Sequence, residues 1–100
     1  MVIVLIRTQL RPDADLVAYA QLDAQMSAIV QRMPGFVSAM AYHAESGEDV
    51  AMIRFTSAEA LRAWRDEPEH QVAQRRGREE FYAMYRIEVC EVVRAYDFGT

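Results

Sequence analysis

The run FVSAMAYHAESGEDVAMIRFT, Phe36 to Thr56, decides how this chain folds. Phe36 to Ala44 and Asp49 to Thr56 are strand-like segments, and between them stands the polar, glycine-bearing Glu45-Ser46-Gly47-Glu48. That combination reads as a β-hairpin. Two strands in direct succession, with no helix between them, pair antiparallel. A hairpin in the middle of the chain therefore sets its topology.

Upstream, Met33-Pro34-Gly35 closes a helix on which Leu16, Tyr19, Leu22, Met26, Ile29 or Val30, and Met33 recur at helical spacing. The Met and Tyr residues of that stripe read as core filling. Arg11-Pro12-Asp13 precedes the helix, with Asp13 the expected N-cap. Before it, Val2 to Ile6 is β-branched and apolar on both faces, as in a strand buried on two sides.

Downstream, Ser57 caps a second helix whose apolar positions are Ala58, Leu61 and Trp64. Pro68 interrupts it, and Asp66 with Glu69 reads as a capping pair that starts a third, shorter helix. This helix is expected to run to about Gly77 and to present His70, Ala73, Gly77 and then Phe81 on one stripe. Arg75, Arg76, Arg78 and Glu79 lie on its solvated side. Tyr85 to Phe98 reads as a long closing strand, with Ile87, Val89 and Val93 on one face and Cys90, Val92, Tyr96 and Phe98 on the other.

The order β-α-β-β-α-(α)-β, with right-handed crossovers, gives a four-stranded antiparallel sheet with its main helices on one face. This is a ferredoxin-like α+β fold, expected as a single domain over residues 1–100. Because the strands are apolar on both faces, the second sheet face needs a cover. A second copy packed sheet to sheet, in a symmetric homodimer, supplies one.

Hydrophobic residues make up 52% of the chain, against about 45–50% in an ordinary globular domain. A net charge of −4 argues against nucleic-acid binding. All eleven basic residues are Arg, and the chain contains neither Lys nor Asn. Cys90 stands alone, which excludes an intrachain disulfide and a Cys-based metal site, and its apolar surroundings predict a buried, inert thiol. Val2 to Ile6 is too short for a secretory signal and lacks a basic leader, and no run approaches membrane-spanning length, so a cytoplasmic protein is expected. No Gly-rich phosphate loop, Gly-x-Ser-x-Gly elbow or His-Glu-x-x-His zinc signature occurs.

Chemistry concentrates in AWRDEPEH, Ala63 to His70, and in GREEFY, Gly77 to Tyr82. Here the only Trp lies close to one of the two His residues. A flat aromatic beside a group that titrates near neutrality suits the wall and the base of a pocket. Each residue also has an ordinary explanation: Trp64 as a core anchor, His70 as a brace at the helix junction, and His43 as an exposed residue beside the hairpin. Tyr42, Tyr82 and Tyr85 suit substrate orientation or a dimer interface. Arg7 and Arg54 either reach a pocket or pair with Glu88 and Glu91 across the sheet.

Together, Met33-Pro34-Gly35-Phe36, Ile53 to Ser57, Ala63 to His70, Gly77 to Tyr82 and Val92 to Phe98 resemble the antibiotic-biosynthesis monooxygenase family, over nearly the whole chain. The resemblance implies a dimeric α+β barrel with a pocket between helices and sheet in each subunit. It implies oxygenase chemistry without metal, flavin or other cofactor. A quinol, anthrone or related polyphenol is deprotonated, and its anion reacts directly with O₂. On this reading His70 is the base or oxyanion partner, Trp64 lines the substrate pocket and Tyr82 orients the substrate.

The haem-degrading branch of the same scaffold uses an Asn on the first strand, a Trp on the second helix and a proximal His. Trp64 matches the Trp, but the Asn position falls near Arg7-Thr8-Gln9 and the His position at Gln74. One match in three disfavours haem. The remaining alternative is a non-catalytic dimer that holds an apolar small molecule.

Overall fold

The computed structural model describes residues 1–99. Strand β1 (Val2–Leu10) leads into helix α1 (Leu16–Val30), the hairpin β2 (Phe36–His43) and β3 (Asp49–Phe55), and helices α2 (Ala58–Arg65) and α3 (Pro68–Arg76). A π-helical turn (Gly77–Phe81) then feeds β4 (Tyr82–Glu91). The strands lie in the order β2-β3-β1-β4 with antiparallel neighbours throughout, which is the ferredoxin-like sheet. β1 sits between β3 and β4, with Val4 opposite both Ile53 and Val89. This register turns Val2, Val4, Ile6 and Thr8 toward the helices, and Val2, Val4 and Thr8 are buried there.

The core forms two clusters. Val4, Val30, Phe55 and Trp64 make one; Leu22, Ala73 and Phe81 make the other, with Met26 packed against both. Gly35 joins the end of α1 to the start of α2. Its φ of +85° favours glycine, and a Cβ would stand 2.5 Å from the Ala60 Cβ. Its carbonyl accepts the Thr56 N–H at 2.8 Å, which ties the hairpin's exit to the same point.

Local signals at the helix starts needed correction. Pro12 and Asp13 are the centre of a turn closed by the Ala14 N–H on the Arg11 carbonyl (3.1 Å). The N-cap of α1 is therefore Asp15, whose Oδ1 accepts the Ala18 N–H at 3.0 Å, and not Asp13. Leu16 is exposed, as is its neighbour Val17 in the first turn of α1. At the second break, Asp66 ends α2, and Glu67 caps α3 by accepting the His70 N–H at 2.9 Å. Ser57 caps α2 as expected, accepting from the Ala60 N–H.

The closing strand also differs. β4 begins at Tyr82 and stops at Glu91, because β1, its one neighbour among the described residues, begins at Val2 opposite Glu91. One further bond, Val92 N–H to the Met1 carbonyl at 3.0 Å, ends the pairing. Val93, Tyr96 and Phe98 lie beyond it, fully exposed. Cys90 is exposed rather than buried, since it faces outward on an edge strand opposite Ile3. Arg7 also faces outward and pairs with Glu48 of the hairpin rather than with Glu88 or Glu91. Glu88 pairs with Arg86 at 3.4 Å. Arg54 shares the outward face, opposite Ile3, so neither arginine turns toward the helices.

Candidate functional site

Between the sheet and the helices lies an open cavity of about 530 Å³. Small-molecule sites generally span about 300–1,000 Å³. The space exists because Ala39, Ala41 and Ala51 occupy helix-facing positions of β2 and β3, beside Ile53 and Ile6 in the register. Three methyl groups stand where larger side chains would otherwise meet α1. The cavity takes lining residues from both core clusters, including Met26, Val30, Trp64, Ala73 and Tyr82.

Trp64 and His70 form one wall. Trp64 is 4% exposed, and its ring stacks on the His70 imidazole with centroids 3.9 Å apart and planes 10° from parallel. The helix break produces this geometry. Pro68 restarts the chain as α3, Glu67 caps it, and His70 in its first turn folds back over the last turn of α2. His70 Nδ1 lies 2.9 Å from the Trp64 carbonyl oxygen. A carbonyl only accepts, so Nδ1 carries the hydrogen and donates it. In the neutral ring Nε2 then keeps its lone pair. Burial lowers the His70 pKa below 6.5, although the Trp64 carbonyl and the Glu67 charge both pull it upward. His70 is thus a neutral, oriented base at pH 7.

Tyrosines from α1 and β4 form a second polar element. The Tyr19 and Tyr82 hydroxyls are 3.2 Å apart. Burial raises both phenol pKa values, and the charges of Asp23 and Asp49 add to the effect, so both remain protonated donors. Two devices place Tyr82. Gly77 leaves room for its ring, since a Cβ there would come within 2.5 Å of Cε2. Arg11 reaches the π-helical turn and donates to the carbonyls of Arg78 (2.7 Å), Glu79 (2.8 Å) and Tyr82 (3.1 Å). Its cation thereby ties the chain just after β1 to this turn and to the start of β4.

Asp23 stands on the exposed rim, yet enough protein surrounds its carboxyl to push the pKa up. Asp49 accepts from the exposed His43 ring at 2.6 Å. Thr8 (6% exposed), Ser27, Gln74 and Tyr85 complete the polar lining. Among the described residues no three His, Cys, Asp or Glu side chains converge as metal ligands, and no helix is long and apolar enough to cross a membrane.

Trp64, His70 and Tyr82, singled out from the sequence, all line this one cavity, as does Tyr85. Tyr42 does not; it stands near the open end of β2, exposed, opposite Val50. Sequence reading missed the alanine floor and the functional side of α1. Tyr19, Asp23 and Ser27 all line the cavity, and their spacing of four residues was the available signal.

The chain belongs to the antibiotic biosynthesis monooxygenase family, whose model matches residues 1–76. It is similar to the uncharacterized protein YqjZ of Bacillus subtilis, with 28% identity over 76% of this chain and 67% of that one. In structure it resembles Rv0793 of Mycobacterium tuberculosis (27% identity, TM-score 0.82, covering 96% of this chain and 98% of that one). It also resembles SnoaB, a cofactor-independent oxygenase from Streptomyces nogalater (16% identity, TM-score 0.77, covering 94% of each chain). At that identity the likeness to SnoaB establishes shared fold.

Proposed function

We propose that this chain is a cofactor-independent monooxygenase that oxidises a planar aromatic substrate of the quinol, anthrone or polyphenol type with O₂. The observation that carries the reading is the His70 imidazole, neutral at pH 7 and fixed through Nδ1, which leaves Nε2 as the basic atom beside a cavity. Trp64 offers a flat wall to a planar ring. Tyr82 and Tyr19 offer hydroxyls to a substrate oxygen.

For an anthrone, His70 takes a proton from the activated methylene carbon. The carbanion gives an electron to O₂, and the resulting pair combines as a carbon-bound peroxide. This loses the second methylene proton and breaks its O–O bond. One oxygen atom remains as the new carbonyl and the other leaves as water with the two methylene protons, so the methylene carbon supplies all four electrons that reduce O₂.

We also propose that the working form is a homodimer. Support comes from the outward sheet face, where Ile3, Leu5, Val50 and Met52 lie on the central strands and Met40 and Tyr42 remain exposed beside them.

The test is O₂ uptake with a panel of quinols and anthrones, comparing wild type with His70→Gln, which retains a donor for the Trp64 carbonyl but has no basic nitrogen. Uptake by wild type and its loss in the variant support the reading. Tight binding without uptake would instead identify a binding protein.

A further inference from the structure

We infer that the cavity selects uncharged oxygen-bearing aromatics over their carboxylated counterparts, with Asp23 and Asp49 as the residues that set this preference. The inference rests on the cavity being the substrate site and not on turnover.

The distribution of charge carries it. Among the described residues none of the chain's eleven Arg side chains lines the cavity, and the chain has no Lys. Several of the arginines are engaged elsewhere: Arg7 with Glu48, Arg76 with Glu80, Arg65 with Asp66, and Arg11 on backbone carbonyls. The lining does include two carboxylates. Asp23 has no ion-pair partner among the described residues, and Asp49 has only the exposed His43. Both carboxylates line the same cavity as the Tyr19 and Tyr82 hydroxyls, whose pKa values are raised chiefly by burial and further by these two charges.

A ligand carboxylate entering this space would lose water, find no cation to replace it, and face like charges. A neutral phenol or ketone meets hydroxyls, an amide and an imidazole instead. The proposed chemistry is compatible with this preference. When His70 removes a proton from a neutral substrate, an anion and an imidazolium form together, and the net charge of the site is unchanged. A carboxylated substrate would add one uncompensated negative charge throughout.

The probes are 1,8-dihydroxyanthrone and its 3-carboxylate, titrated anaerobically at pH 7.5 by calorimetry into wild type, Asp23→Asn, Asp49→Asn and the double variant. Wild type should bind the neutral ligand at least about tenfold more tightly, a difference that a single like-charge contact supplies. The double variant should narrow that ratio several-fold. Equal binding of the two ligands, tighter binding of the carboxylate, or a ratio unchanged in the double variant overturns the inference. Binding of neither overturns it together with the proposed site. Charge discrimination without O₂ uptake upholds the inference and refutes only the oxygenase reading.

Discussion

His70 owes its properties to three contacts from two residues: the Trp64 carbonyl and the Trp64 ring on its imidazole, and the cap carboxylate of Glu67 on its backbone N–H. Its pKa is lowered on folding, so as pH falls below the ordinary 6.5 the unfolded chain takes up a proton before the folded one does. Stability is therefore fully present above that pH and declines down to the folded pKa. Urea midpoints at pH 7.5 and 5.5 should fall further for wild type than for His70→Gln, and equal losses would contradict the burial assigned to His70. At Gly77, Ala should displace the Tyr82 ring and cost about 1–3 kcal/mol in urea denaturation, as overpacking does. Trp64, His70 and Tyr82 were legible in the sequence because unusual residue types stand out there. Tyr19 and Asp23 were not, since a Tyr on an apolar helical stripe looks like core and an Asp beside it looks like surface. Apart from their four-residue spacing, it is the fold that reveals their part: Tyr19 meets the Tyr82 hydroxyl across 63 residues of chain, and Asp23 lines the same cavity.

At the scale of elements, the short helix α3 is what turns a core tryptophan and a nearby histidine into a stacked pair. Glu67 and Pro68 define its start, and a cap of this kind contributes about 0.5–2 kcal/mol. Glu67→Ala should lower stability by that amount. It should also move the His70 pKa further down, because the Glu67 charge opposes the effect of burial. An NMR titration of the His70 ring protons reads the shift, and an upward shift would contradict the assignment. Element types followed from periodicity and from the hairpin, whereas their ends depended on which of several adjacent acids reached a backbone N–H. Asp13 and Asp15 are equivalent as caps by residue type, and at the second break the shorter Asp66 is the better cap by type although Glu67 is the one that reaches the N–H, so composition does not choose the start. The end of β4 had a longer-range cause: its pairing with β1 runs to Val2 opposite Glu91 and closes with the Val92 N–H on the Met1 carbonyl, a fact of sheet register rather than of local preference.

For the whole molecule, the sheet's two faces divide its tasks. The inner face carries the cavity, and Ala39, Ala41 and Ala51 keep its sheet side free of bulk. An absence of bulk leaves little trace in a sequence where alanine suits either a tight contact or a void. Ala51→Leu should fill the space, abolishing ligand binding while leaving the urea midpoint unchanged or raised. A loss of about 1–3 kcal/mol would mean that the position is already packed. The outer face carries the proposed dimer contact, and its apolar residues were evident from strands that lack polar alternation. Met52→Glu places a charge at its centre and should convert a dimer to a monomer in light scattering, whereas an unchanged mass would contradict that interface. Most direct is O₂ consumption by wild type and His70→Gln with 1,8-dihydroxyanthrone at pH 7.5. A general base contributes about 10²–10⁴-fold, so wild type should consume O₂ above the buffer rate and the variant should lose most of that excess. No consumption by wild type, or equal consumption by the two proteins, would contradict a catalytic role for this cavity.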